Sequence, residues 1–195
     1  MGDTMAKIMK RAAAGFVFLT LLCALVYIYI RDGLVFGLLI TFATTAYHFV
    51  MRLLVGAVIN LMLHNRVAYG KAWFRVSDRE QRLYEKLQVK AWKGKMGTYD
   101  PDAFDPKKHT WNEIVQATCQ AEIVHEVIVV LSFVPVFAAI PFGALPVFVI
   151  TSLLAAFVDG VFVIMQRYNR PRIIGLMEMA ERRNAKKRVT KGNPL

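Results

Sequence analysis

Two cysteines in 195 residues are too few for a disulfide framework. Cys23 falls inside the first long apolar run, and Cys119 lies on the side assigned below to the cytoplasm, so a bond between them is not expected. Acidic residues are also scarce: 14 Asp and Glu against 25 Lys and Arg leave a net charge of +11. In a soluble chain that excess would point to nucleic acid. Here the basic residues lie outside the apolar runs, and anionic lipid headgroups account for them better. Zinc-ligand spacings, a glycine-rich phosphate loop and RNA-binding signatures are all missing, so nucleic acid is set aside as a partner. No Gly-x-Ser-x-Gly elbow occurs. None of the four histidines is followed five residues later by Asp, which excludes the soluble glycerolipid acyltransferase pattern.

What the chain does have is apolar length. Hydrophobic residues make up 56% of it, above the 45–50% or so of an ordinary soluble domain, and they gather in runs. The segments 12–30, 34–63, 120–140 and 144–165 each read as a transmembrane helix. Gly2 resembles a myristoylation site, but Ala6 stands where Ser or Thr is required. Lys7, Lys10 and Arg11 before the first run imitate a signal peptide; the run is too long and lacks a cleavage site, so it is expected to remain as an anchor.

Between the second and third spans lies a polar loop, 66–112. Ser77 caps an interfacial amphipathic helix reaching to Lys90, with Leu83, Leu87 and Ala91 as its apolar edge and Tyr84 and Trp92 at headgroup level. Two Asp-Pro steps in 97–106 signal turns, and Thr110-Trp111-Asn112-Glu113 is a capping box. Pro135 is expected to kink the third span, and Pro141-Phe142-Gly143 to turn the chain. After the fourth span, 173–188 is helical in pattern with Ile173, Ile174, Met177 and Ala180 on one side, Lys186, Lys187 and Arg188 close it, and 191–195 is expected to be unstructured. The two short turns carry almost no net charge, whereas the N-terminus, the loop and the tail hold nearly all the Lys and Arg. The positive-inside rule then gives an all-α, four-span integral protein of the cell membrane, one domain over 1–195, with both termini cytoplasmic.

This topology brings polar residues to one level. On the second span Thr41, Thr45, His48, Arg52, Gly56 and Asn60 recur every three to four residues and form one face. Arg52 and Asp159 each cost about 2.5–3.5 kcal/mol near mid-helix, so they are expected to pair with each other or with His48. Glu122 and His125 stand at i and i+3: the carboxylate orients the ring and raises its basicity, as a general base requires. Glu126 either joins them or faces headgroups. Glu-x-x-His is also half of a di-metal carboxylate site, but only His48 could complete it, and no metal is assigned. Cys119, one turn before Glu122, is either an acyl-carrying thiol or a small buried residue. Gln166-Arg167-Tyr168-Asn169-Arg170-Pro171-Arg172 ends the fourth span with three guanidinium groups. It reads either as a clamp for phosphate or carboxylate or as a basic stop on the cytoplasmic side.

Ala121-Glu122-Ile123-Val124-His125, then an apolar helix pair, then Val163-Ile164-Met165 and the run to Arg172, resembles the glycosyl-4,4'-diaponeurosporenoate acyltransferases of staphyloxanthin-type carotenoid synthesis. Trp92-Lys93 resembles them too, and the likeness covers mainly 90–183. It implies an integral membrane acyltransferase moving a fatty acyl group from a thioester, acyl-CoA or an acyl carrier, to a hydroxyl of a membrane-embedded lipid or glycolipid. No other cofactor is implied. On that view His125 with Glu122 takes the acceptor proton, and Arg167, Arg170 and Arg172 hold anionic groups. Tyr168 or Asn169 donates to the oxyanion, and Gln166, His48, Arg52, Asp159 and Glu126 line the site. Glu126 follows His125 where the likeness calls for an apolar or aromatic residue, which leaves the acceptor open. The competing readings are a membrane lipid methyltransferase, a metal-dependent hydrolase and a non-catalytic lipid-binding protein.

Overall fold

The computed structural model describes residues 5–191, with side chains to residue 186. Gly2, the side chains of Lys187 and Arg188, and the tail 192–195 lie outside the described residues. Among the described residues, four helices are long and apolar enough to cross a membrane: Met5–Ile30, Gly33–Leu63, Trp111–Phe142 and Leu145–Lys186.

Helix α1 (Met5–Ile30) and helix α2 (Gly33–Leu63) form an antiparallel hairpin. Phe16 stacks on Phe49 at 5.6 Å and Tyr27 meets Phe36 at 5.2 Å, so residues near one end of α1 meet residues near the far end of α2. Arg31 turns the chain with φ 50, and the Asp32 carboxylate accepts from the Leu34 and Val35 amides at 2.8 and 3.2 Å, capping α2. The rest of α1 is turned outward: Phe18, Leu21 and Ile28 are each 65% exposed. In water such a surface would be a liability, and in lipid it is the favourable one.

The 31 residues of α2 span about 46 Å at 1.5 Å each, more than the roughly 30 Å of hydrocarbon. Two left-handed residues, His64 and Asn65, end the helix. Gln120 clasps that end. Its carbonyl accepts from the Asn65 amide at 2.7 Å and its amide donates to Asn60 at 3.1 Å. The chain leaving α2 then packs Val67 and Phe74 onto Cys119, with Leu63, Tyr69 and Ile123 around them.

Helix α3 (Asp78–Lys86) opens at the expected cap, Ser77, which forms a capping box with Glu80. It does not run on to Lys90: Gln88 takes φ 50 and the one-turn α4 (Val89–Trp92) follows. The inward face also differs from the sequence expectation. Tyr84 and Val89 are buried, while Leu83 and Leu87 are about half exposed. Glu80 fixes this rotation by reaching Arg167, as described below. The second capping box, Thr110 with Glu113, opens α5 (Trp111–Leu131). The 3₁₀ turn Val134–Ala138 starts at Pro135, which lacks the N–H for a continuing helix. A single turn, α6 (Ala139–Phe142), leads to Gly143 at φ 68.

Helix α7 (Leu145–Lys191) is unbroken for 47 residues. The separate tail helix expected over 173–188 is therefore a continuation of the fourth span. Pro171 sits inside it, where its ring denies an amide to the carbonyl of Arg167 four residues back. The Arg167 and Arg170 side chains anchor this stretch against other elements, and the helix continues through the proline.

Gln120 is the hinge pin between α2 and α5. Gln120→Leu is expected to destabilise the protein by about 1–3 kcal/mol, since it strands the Asn65 amide and the Asn60 carboxamide. Thermal unfolding in detergent, followed by circular dichroism, checks this.

Candidate functional site

Helices α5 and α7 pack along each other and present two buried acids, Glu122 from one and Asp159 from the other. Their exposures are 0% and 2%. Each has recruited cations, and the choice of partners differs from the sequence expectation.

Glu122 does not orient His125. Its two oxygens are taken by Arg167 Nη1 at 2.6 Å and by Arg170 Nη2. Arg170 is 1% exposed. It also donates to the Phe74 carbonyl at 3.0 Å and to the Thr118 hydroxyl and carbonyl at 3.4 Å, with its guanidinium over the Phe74 ring. Arg167 reaches Glu80 through Nε at 3.0 Å, the Trp73 carbonyl at 3.1 Å and the Arg75 carbonyl at 3.1 Å. A guanidinium has five N–H donors, and Arg167 alone makes five contacts of this kind. These two arginines are thus committed to protein groups. They staple the loop Trp73–Arg75 and α3 to the α5–α7 pair. Burial by itself raises the Glu80 carboxyl, but the Ser77 backbone amide and Arg167 outweigh it and hold Glu80 below the usual glutamate range.

Deeper in the bundle lies the second centre. Arg52 donates to Asp159 Oδ2 from Nε at 2.9 Å and from Nη2 at 2.5 Å, the pairing expected from the cost of two lone charges. The other carboxylate oxygen, Oδ1, is 2.9 Å from His125 Nδ1. This contact orients the imidazole. The ring lies flat against Phe162, at 4.8 Å and 11°. Among the described residues nothing bonds Nε2, and 22% of the His125 side chain stays open. The result is an oriented histidine with one ring nitrogen unbonded, the geometry that an Asp–His general base would use.

The remaining expected residues fall around these two centres. His48 is buried, and neither ring nitrogen finds a partner among the described residues. Its carbonyl accepts from Arg52 Nη1 at 3.3 Å. Glu126 accepts from the Trp73 indole at 3.0 Å. Gln166 is buried. Cys119 is fully buried against Val67 and Phe74, as a packing residue. Tyr168 and Asn169 stand six and seven residues beyond Phe162, so about 9–10 Å along α7 from the residue that stacks on His125. Both are engaged with Lys93 there, which removes the geometric ground for an oxyanion role at His125. Among the described residues no three of His, Cys, Asp and Glu converge on a metal position.

Several partners were not evident from the sequence. Thr118 had a usable signal, one turn before Glu122 on the same face. Glu80 was absorbed by its capping box. The carbonyls of Trp73, Phe74 and Arg75 gave none, because backbone acceptors leave no trace in residue type.

Removing Glu122 leaves a buried arginine without its counter-ion. Glu122→Ala is expected to cost about 3–5 kcal/mol of stability, read as a lowered thermal midpoint in detergent. Because its folded-state pKa is depressed, Glu80 contributes stability above its unfolded pKa, and that contribution is lost as pH falls through the lower, folded value. Glu80→Gln should therefore show a smaller drop in midpoint between pH 7 and pH 3 than the unchanged protein, about those two readings.

No curated relative and no solved structure matches the chain. The model of the glycosyl-4,4'-diaponeurosporenoate acyltransferases matches residues 69–179, more than half of it. That segment holds Glu80, Glu122, His125, Asp159, Arg167 and Arg170. Four apolar helices and this match together give the conclusion: the chain belongs to the glycosyl-4,4'-diaponeurosporenoate acyltransferase family, membrane acyltransferases of carotenoid biosynthesis.

Proposed function

We propose that the protein transfers a fatty acyl group from a thioester donor to a hydroxyl of a membrane-embedded lipid or glycolipid, at the cytoplasmic side of the bilayer. The observation that carries the chemistry is the His125–Asp159 pair with Nε2 unbonded. Nε2 accepts the proton of the acceptor hydroxyl as its oxygen forms a bond to the thioester carbonyl carbon. The tetrahedral intermediate then expels the sulfur, and the imidazolium returns the proton to the departing thiolate. Asp159 stabilises the imidazolium that forms, and Arg52 holds Asp159 in place through its other oxygen. Glu122, assigned at first to that task, instead shapes the protein one turn away.

A cytoplasmic site follows from the charge asymmetry of the sequence, with both termini on that side. The base lies below the ring of arginines, within reach of an acceptor that stays in the membrane.

His125→Ala in membrane fractions is expected to lower acyl transfer by about 10²–10⁴, the usual contribution of a general base. Activity within a few-fold of the unchanged protein would remove His125 from the role. Asp159→Asn is expected to lose activity comparably, since its amide no longer enforces the Nδ1–H tautomer.

A further inference from the structure

With Arg167 and Arg170 saturated by protein groups, the anion site of a thioester acyltransferase must lie elsewhere. One cluster fits. Lys93, in the 3₁₀ turn Lys93–Lys95, donates through Nζ to Asn169 Oδ1. The same Nζ sits 4.9 Å from the Tyr168 ring centre, and the Arg172 guanidinium sits 4.7 Å from that ring. Among the described residues no carboxylate pairs with either cation. Two positive groups, half-buried Lys93 and exposed Arg172, thus converge on one half-buried aromatic ring. The ring offsets part of their charge, and the rest is uncompensated. Burial, then Arg172, then Lys90 hold the Lys93 ammonium below the usual lysine value. A bound anion would offset the repulsion among the three cations.

We propose that Lys93, Arg172 and Tyr168 bind the phosphate-bearing end of the thioester donor. This deepens the acyl-transfer reading and rests on it. Distance favours the donor over a lipid headgroup. Arg172 lies ten residues beyond Phe162, the residue stacked on His125, which is about 15 Å along the helix. In a glycerophospholipid the phosphate is only a few bonds from the ester carbonyls. A carrier thioester places a long flexible arm between its phosphates and the reacting carbonyl, so one molecule can reach both points. Arg172 suits this task through its planar donor pairs, and Lys93 through a mobile point charge.

The test uses the full chain in detergent, with free coenzyme A as probe and isothermal titration as readout. The unchanged protein should bind it, with affinity falling as salt is raised. Lys93→Met and Arg172→Gln should each weaken binding roughly tenfold to hundredfold, as expected for a lost charge-assisted contact. In the transfer reaction the same variants should raise the donor KM while kcat at saturation is retained. Lys93→Arg, which keeps the charge, should bind within a few-fold of the unchanged protein. Titrating His125→Ala separates the two proposals, because this binding involves no proton transfer and should persist there. Coenzyme A binding that is absent from the unchanged protein, or as tight in both charge-removing variants as in the unchanged protein, overturns the assignment. So does intact binding accompanied by loss of retention on phosphatidylglycerol vesicles, which would give the cluster to an acidic lipid headgroup.

Discussion

Glu122 is the residue on which the half of the protein beside the central loop turns. A carboxylate with no exposure is tolerable only when the charge is met at short range by well-placed donors. Arg167 and Arg170, one turn apart on α7, each take one of its oxygens. The consequences spread from there. Once the two guanidinium groups are fixed, their other N–H donors collect the carbonyls of Trp73, Phe74 and Arg75 and the side chain of Glu80. The loop, already seated by Val67 and Phe74 on Cys119, is thereby given one position, and the rotation of α3 is set with it. Glu80 and Glu122 balance the charge of Arg167 and Arg170, which offsets part of the desolvation cost of the buried ions.

The deeper centre repeats the logic with a different outcome. Asp159 has one oxygen on Arg52 and the other on His125. Arg52 and His125 thus share one buried carboxylate, each on its own oxygen, which gives Asp159 the partner its insertion into the membrane requires. Phe162 stacks on the face of the imidazole and holds the ring against turning.

Much of this architecture was legible in the sequence, for identifiable reasons. The four spans show because apolar runs of bilayer length have few soluble counterparts, and both helix caps show because their chemistry is local. The Arg52–Asp159 pair was readable from cost alone: two lone charges at similar depth must find each other. Partner choice around Glu122 and His125 was not. Spacing of i and i+3 puts two side chains on one face, but it does not say which neighbouring helix each will meet, and here one turns to Arg170 and the other to Asp159. The seven-residue run ending the fourth span misled in a different way. Three arginines there look interchangeable, whereas the structure sorts them by what each can reach.

That sorting explains why the basic run is richer than a membrane stop signal requires. Successive positions on α7 point to different neighbours, about 100° apart in a helix of 3.6 residues per turn. Arg167 and Arg170 share a face and turn to α5 and the loop. Tyr168 and Arg172, four residues apart, share another and turn to Lys93. A lysine stop signal would satisfy the positive-inside rule at any of these positions. It could not bridge Glu122 to two backbone carbonyls, as Arg167 and Arg170 each do, because an ammonium lacks the planar fork that lets one side chain serve acceptors in several directions. The two faces thus divide the work of one segment: one closes the protein around a buried acid, and the other leaves positive charge unspent beside an aromatic ring. Pro171 sits between them, where the helix is already held by its side chains and can do without the missing backbone bond.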